Sequence, residues 1–192
     1  MPISKTGSQG HVRIIAGKFK GRKIPVLSGC DIRPTTDRIR ETLFNWLQPF
    51  IENANCLDLF AGSGALSFEA LSRGAKSAYL IDSHPKMIAN LRQQALLLEV
   101  ENVVTLNAKL PSTAIKLPKS YFNLVFIDPP FNQGLVEICC HWLEDFGCMQ
   151  NQCLIYIEVE KQLDPLPIPN HWRILKSKHT SNIGYHLCER TV

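Results

Sequence analysis

Two short segments of this 192-residue chain carry residue types whose spacing suits a group transfer to an amine. The first is Asp58-Leu59-Phe60-Ala61-Gly62-Ser63-Gly64, in which paired glycines let the backbone pass close to a ligand. A G-x-G spacing alone is common to many nucleotide sites, but two details narrow it. Ser67 stands where a dinucleotide-binding loop wants a third glycine or alanine. Asp58, ahead of the glycines, would repel a pyrophosphate and suits a ligand with an ammonium and a sulfonium centre. S-adenosylmethionine is such a ligand, and Asp58 with Phe60, Ala61, Gly62, Ser63 and Gly64 would cradle it. Asp82, 18 residues past Gly64, is placed to accept both hydrogens of a ribose diol. Its other reading is a cap on the helix that Pro85 opens. Asn107 and Ala108 fall at the expected edge of an adenine pocket.

The second segment is Asp128-Pro129-Pro130-Phe131, directly after the apolar run Asn123 to Ile127. An exocyclic base amine is a poor nucleophile, because its lone pair is conjugated into the ring. Two acceptors facing the amine hydrogens favour the tetrahedral nitrogen that attack on a methyl group requires. The Asp128 carboxylate and the Pro129 carbonyl can supply them, and Pro130 stiffens the turn by fixing φ. Phe131 can stack on the base. A sulfonium donor needs no metal for this step.

Both segments need strand tips to hold them. Val12 to Ala16 and Lys23 to Val26 read as two short strands flanking Gly17-Lys18-Phe19-Lys20-Gly21-Arg22, a hairpin with a basic turn. Thr35 or Thr36 can cap a helix whose apolar face is Ile39, Leu43, Trp46, Leu47 and Phe50. From Cys56 onward strands and helices alternate. The strands are Cys56 to Phe60, Ala78 to Ile81, Val103 to Leu106, Phe122 to Ile127 and Leu154 to Val159. The helices are Ala65 to Arg73, one opened by Pro85, and Leu135 to Phe146. Trp172 to Lys176 and Tyr185 to Glu189 close the chain as an antiparallel pair. The pattern predicts an α/β, Rossmann-like fold with a mostly parallel doubly wound sheet, an antiparallel C-terminal edge hairpin and a small N-terminal β-hairpin extension.

Charge is unevenly distributed. Residues 1–40 hold nine Lys or Arg against two Asp, while the rest of the chain holds 12 basic residues against 15 acidic. A basic arm on a mildly acidic body is the footprint of a polyanion binder. Arg13, Lys18, Lys20, Arg22, Lys23, Arg33 and Arg38 are its candidate RNA contacts, whereas Arg40 can pair locally with Asp37 or Glu41. The expected division is 1–34 as a basic extension that touches RNA and 35–192 as the catalytic domain. Seven cysteines without C-x-x-C or H-x-x-x-H spacing read as reduced structural thiols, and no metal site is expected. A polar start and the lack of any long apolar run point to a cytoplasmic protein and no membrane partner.

Asp58 to Gly64 and Asp128 to Phe131 together resemble the class I methyltransferases and their amine-modifying branch. The similarity is closer still to the small-subunit ribosomal RNA guanine-N2 methyltransferases of the RsmD type. Val12 to Gly17, Gly21 to Lys23, and above all Arg33-Pro34-Thr35-Thr36-Asp37-Arg38 through Trp46 carry it. That resemblance implies S-adenosyl-L-methionine as donor and one guanine of small-subunit ribosomal RNA as acceptor. It also implies action on an assembled or partly assembled 30S subunit, by a protein expected to be monomeric. Asp82 stands where that family would be expected to carry Glu. The rival acceptors are a DNA adenine or cytosine amine or a protein glutamine amide. A third reading is an RNA-binding assembly factor without turnover.

Overall fold

The computed structural model describes residues 10–27 and 36–192. Arg33, Cys30 and the expected 34/35 division lie outside those residues. Strands β1 (Gly10–Arg13) and β2 (Lys23–Val26) pair antiparallel, His11 opposite Pro25 and Arg13 opposite Lys23. The first strand stops three residues short of the expected Ala16. The cause is distant in sequence: the amides of Ile15 and Ala16 turn away from β2 to donate to Glu69, at 2.7 and 3.1 Å.

Helix α1 (Asp37–Leu47) is capped by Thr36, whose Oγ1 accepts from the Ile39 amide at 3.4 Å. Ile39, Leu43, Phe44 and Leu47 are buried, but Phe50, expected on the same face, lies past the helix end and is 53% exposed. Then follow β3 (Asn55–Asp58), α2 (Ala65–Ser72), β4 (Ser77–Asp82), α3 (Pro85–Leu97) and β5 (Val103–Asn107). The chain continues through β6 (Phe122–Ile127), α4 (Leu135–Phe146), β7 (Met149–Glu160), β8 (Trp172–His179) and β9 (Ile183–Arg190). Seven of these strands form one sheet in the order β5-β4-β3-β6-β7-β9-β8. All neighbours from β5 to β7 run parallel, while β9 is antiparallel to both β7 and β8. The edge hairpin therefore places its second strand inside the sheet and its first, with Arg173, Lys176 and Lys178 exposed, at the rim. Charges on that rim discourage pairing with another strand.

Alternate residues of the strands feed two cores. On one side Cys56, Leu80, Leu124, Phe126 and Tyr156 meet Leu43 and Phe44 of α1, Phe68 of α2 and Leu91 of α3. On the other, Leu57, Ile81, Val125, Ile127 and Ile157 meet Cys139, Cys140 and Leu143 of α4. Burial on both faces is why these strands read as unbroken apolar runs. Ile14, Phe19 and Ile24 of the N-terminal hairpin belong to the first core. The hairpin is thus packed against the sheet's own helices. Cys56, Cys139, Cys140, Cys148, Cys153 and Cys188 are buried free thiols. Burial pushes the Cys139 and Cys148 thiols up to about 11, so they stay protonated.

Candidate active site

The parallel strands all present their carboxyl ends to one edge of the sheet, where ligands of doubly wound folds bind. Asp58 ends β3, Asp82 ends β4 and Asp128 follows β6. A cleft of about 720 Å³ opens there. Its wall runs from Asp58 through Ser63 to Asp82, passes Ala108, and reaches Asp128, Pro129, Pro130 and Phe131. Two segments 64 residues or more apart in sequence thus face one space.

Asp58 is 2% exposed, and Ser67 Oγ donates to its Oδ2 at 2.8 Å. Oδ1 is buried and finds no hydrogen-bond partner among the described residues. Burial pushes the carboxyl up to about 7, opposed in part by the Ser67 hydroxyl and by the nearby Phe60 amide. Ser67 therefore has a positive role: the residue that breaks the dinucleotide pattern holds one oxygen of Asp58 in place. A carboxylate on a cleft wall with acceptor capacity to spare is suited to a ligand ammonium, which has only donors to offer.

Asp82 turns both carboxylate oxygens to backbone amides, and the cap position of α3 falls instead to His84, which makes no side-chain cap bond. Asp82 Oδ2 accepts from the Gly62 amide at 3.0 Å, which braces the glycine loop. Its Oδ1 accepts from the His84 amide at 2.8 Å, just before α3. Oδ1 also lies 3.3 Å from His84 Nδ1, while Oδ2 keeps a second lone pair for a hydroxyl. Gly64 leaves the cleft wall to Ser63: at φ +80° it starts α2, and a Cβ there would lie 2.6 Å from Phe68 Cε2. Asn107 also points elsewhere, its Nδ2 donating to the Asp82 carbonyl at 2.9 Å. The wall beyond Asp82 is instead built by Ala108, Lys109 and Leu110, with Ser83, His84 and Met87 opposite.

Sequence reasoning also passed over Gln133, Leu135 and Glu158, which line the same cleft as Asp128 and Phe131. Glu158 had a legible signal, a carboxylate in an otherwise apolar strand beside the one that ends in Asp128. Of the cations proposed for the arm, the described ones, Arg13, Lys18, Lys20, Arg22, Lys23 and Arg38, are exposed. Arg40 is not. It is fully buried, 2.7 Å from Asp37, 3.7 Å from Glu69, and 2.8 Å from the Arg13 carbonyl to which it donates.

This sheet order, with its antiparallel β9, and a glycine loop after the first parallel strand of the sheet define a class I S-adenosylmethionine-dependent methyltransferase fold. An RNA methyltransferase of Salinibacter ruber, solved with S-adenosyl-L-homocysteine, shares it at a TM-score of 0.64 and 12% identity, over 83% of this chain and 94% of that one. Residues 12–189 match the family described as Conserved hypothetical protein 95. The chain is 42% identical over 181 residues to ribosomal RNA small subunit methyltransferase D of Escherichia coli (strain K12), covering 94% of this chain and 91% of that protein. It is 41% identical over 189 residues to the protein of the same name from Haemophilus influenzae, covering 96% and 97%. The solved structure of yhhF from Escherichia coli superposes with a TM-score of 0.87 at 43% identity, over 95% of this chain and 99% of that one. The chain belongs to the ribosomal RNA small subunit methyltransferase D family.

Proposed function

We propose that this protein transfers the methyl group of S-adenosyl-L-methionine to the exocyclic N2 amine of one guanine in small-subunit ribosomal RNA. The substrate would be an assembled or partly assembled small subunit, met in the cytoplasm by a monomer. The observation that carries the reading is the shared cleft: Asp58 and Asp82 line the same space as Asp128 and Phe131. The names of the curated relatives support the RNA class of the acceptor.

In this reading the methyl donor lies along the glycine loop. Asp58 takes its ammonium and Asp82 its ribose, with Ala108 and Leu110 beside the adenine. Asp128 and the Pro129 carbonyl accept the two amine hydrogens of the base, and Phe131 stacks on its face. These groups hold the nitrogen lone pair in line with the methyl carbon. The nitrogen–carbon bond forms as the carbon–sulfur bond breaks, and the surplus proton leaves from the nitrogen toward the Asp128 side. Residues 1–34, with their cations, are assigned to the RNA backbone, and 35–192 to binding and chemistry. The described cations of that arm are exposed, as phosphate contacts must be.

The test is mass mapping of small-subunit RNA from cells lacking the gene. One methylguanine should vanish and return on complementation; an unchanged map would end the proposal.

The raised Asp58 carboxyl adds a second expectation. A carboxyl whose folded value, about 7, exceeds its ordinary 3.8 contributes stability fully below pH 4 and loses it as pH rises through 7. The ligand-free protein therefore bears a buried, half-paired charge at pH 8. A ligand ammonium relieves that charge, so donor binding should release a proton below pH 7. Affinity should rise about fivefold from pH 6 to 7 and flatten above, as calorimetry across that range would show. Asp58→Asn should remove the slope. A flat profile in the unaltered protein would take Asp58 off the ammonium.

A further inference from the structure

We infer that Glu158 reads the ring N–H next to the target amine and so selects guanine as the base that is methylated. This rests on the guanine reading above and deepens it. Strands β6 and β7 are parallel neighbours with Phe126 opposite Tyr156 and Ile127 opposite Ile157. One step further along, Asp128 and Glu158 stand side by side at the carboxyl ends of their strands. Both line the cleft together with Phe131. Glu158 is 3% exposed, so the little surface it keeps is directed at that space.

Its orientation is fixed from below. Tyr156 is two residues earlier on the same strand face, and its hydroxyl donates to Glu158 Oε2 at 2.9 Å. Burial and the adjacent carboxylates Glu158 and Asp128 hold the phenol well above its ordinary value, so it remains a donor. A carboxylate oriented in this way on the cleft wall can accept a hydrogen bond from a ligand that enters the cleft. Tyr185, opposite Glu158 on β9, stacks against Trp46 with ring centroids 5.6 Å apart, which closes the far side.

The chemistry of the bases makes such an acceptor selective. In guanine the ring atom beside the amine is N1, which carries a hydrogen. In adenine and cytosine the equivalent ring nitrogen is a bare acceptor. With both amine hydrogens engaged by Asp128 and the Pro129 carbonyl, guanine alone offers a further N–H within reach of Glu158. Adenine or cytosine would set a lone pair against a buried carboxylate, which costs far more than a lost contact. Asp128 presents the amine, and Glu158 decides which amine is admitted.

The experiment compares small subunits carrying guanine or 2-aminopurine at the mapped position. 2-Aminopurine keeps the 2-amine but has no hydrogen on N1. The unaltered protein should prefer guanine by about 10²-fold or more in kcat/KM. Glu158→Gln should lose about 10²-fold on guanine, while its amide can donate to the bare N1. The preference should shrink to under about tenfold, with donor affinity within twofold. Tyr156→Phe keeps the carboxylate but removes the hydroxyl that orients it, and should narrow the preference in the same direction with the melting temperature as a folding control. An unchanged guanine to 2-aminopurine ratio in both variants would overturn the role of Glu158 while leaving guanine methylation standing. No methylation of guanine by the unaltered protein would overturn both.

Discussion

Asp128→Ala should lower methyl transfer to small-subunit RNA by about 10²–10³-fold in kcat, the usual cost of removing one preorganised polar group from a transition state. On the proposed reading the alanine leaves the amine with a single acceptor, the Pro129 carbonyl, and leaves the nitrogen lone pair in conjugation with the ring. Donor affinity should stay within about twofold, because Asp58, Asp82 and the glycine loop are untouched. Asp128→Asn keeps one acceptor oxygen and should fall between the two. Incorporation of tritiated methyl groups into RNA measures all three proteins. Full activity in the alanine variant would remove Asp128 from the chemistry and revive the reading of an assembly factor without turnover.

Glu69→Ala should destabilise the fold by about 3–5 kcal/mol, the range for removing one partner from a buried charged network. Glu69 is fully buried in α2 and accepts four contacts: the amides of Ile15 and Ala16, Arg73 Nε at 2.7 Å, and Arg40 at 3.7 Å. Without it the Arg40 guanidinium is left in the core with Asp37 and one carbonyl. For a chain of this size the melting temperature should drop by roughly 10 °C. Glu69→Gln keeps acceptor capacity for one amide and should lose less. A shift under about 2 °C for the alanine variant would mean that the hairpin is held by its apolar contacts, Ile14, Phe19 and Ile24, alone.

Much of this architecture was legible because its signals are local. Strands buried on both faces must be apolar throughout, so β6 could be bounded from sequence to the residue, and α4 also kept its expected bounds. Asp58, Asp82 and Asp128 stood out because each ends such a run. What escaped depends on distant partners. Nothing near Ile15 announces that its amide belongs to Glu69, 54 residues away. The twelve-residue β7 was foreseen only from Leu154, because its first half pairs irregularly with β6 and includes Gln152 at φ +60°. Ser67 was noticed as a departure from a pattern, yet its purpose appears only where its hydroxyl meets Asp58. Glu158 interrupts an apolar run, a signal whose meaning emerges only when the parallel register of β6 and β7 brings it toward Asp128.

Helix α2, with Gly64 of the glycine loop at its N-cap, ends at Ser72, whose carbonyl accepts from the Lys18 amide at 2.7 Å and whose hydroxyl accepts from the Phe19 amide at 2.9 Å. Gly17 fits so tightly there that a Cβ would lie 1.8 Å from the Ser72 carbonyl oxygen. Eight residues of helix make a strut about 12 Å long. The hairpin cannot swing without dragging the donor loop with it. On the proposed reading the enzyme is a fixed gauge: backbone gripped at one end of the strut has a set path to the methyl group at the other. A nucleotide one step early or late along the same loop would arrive off the mark, so position along the strand is selected by length before any base edge is touched.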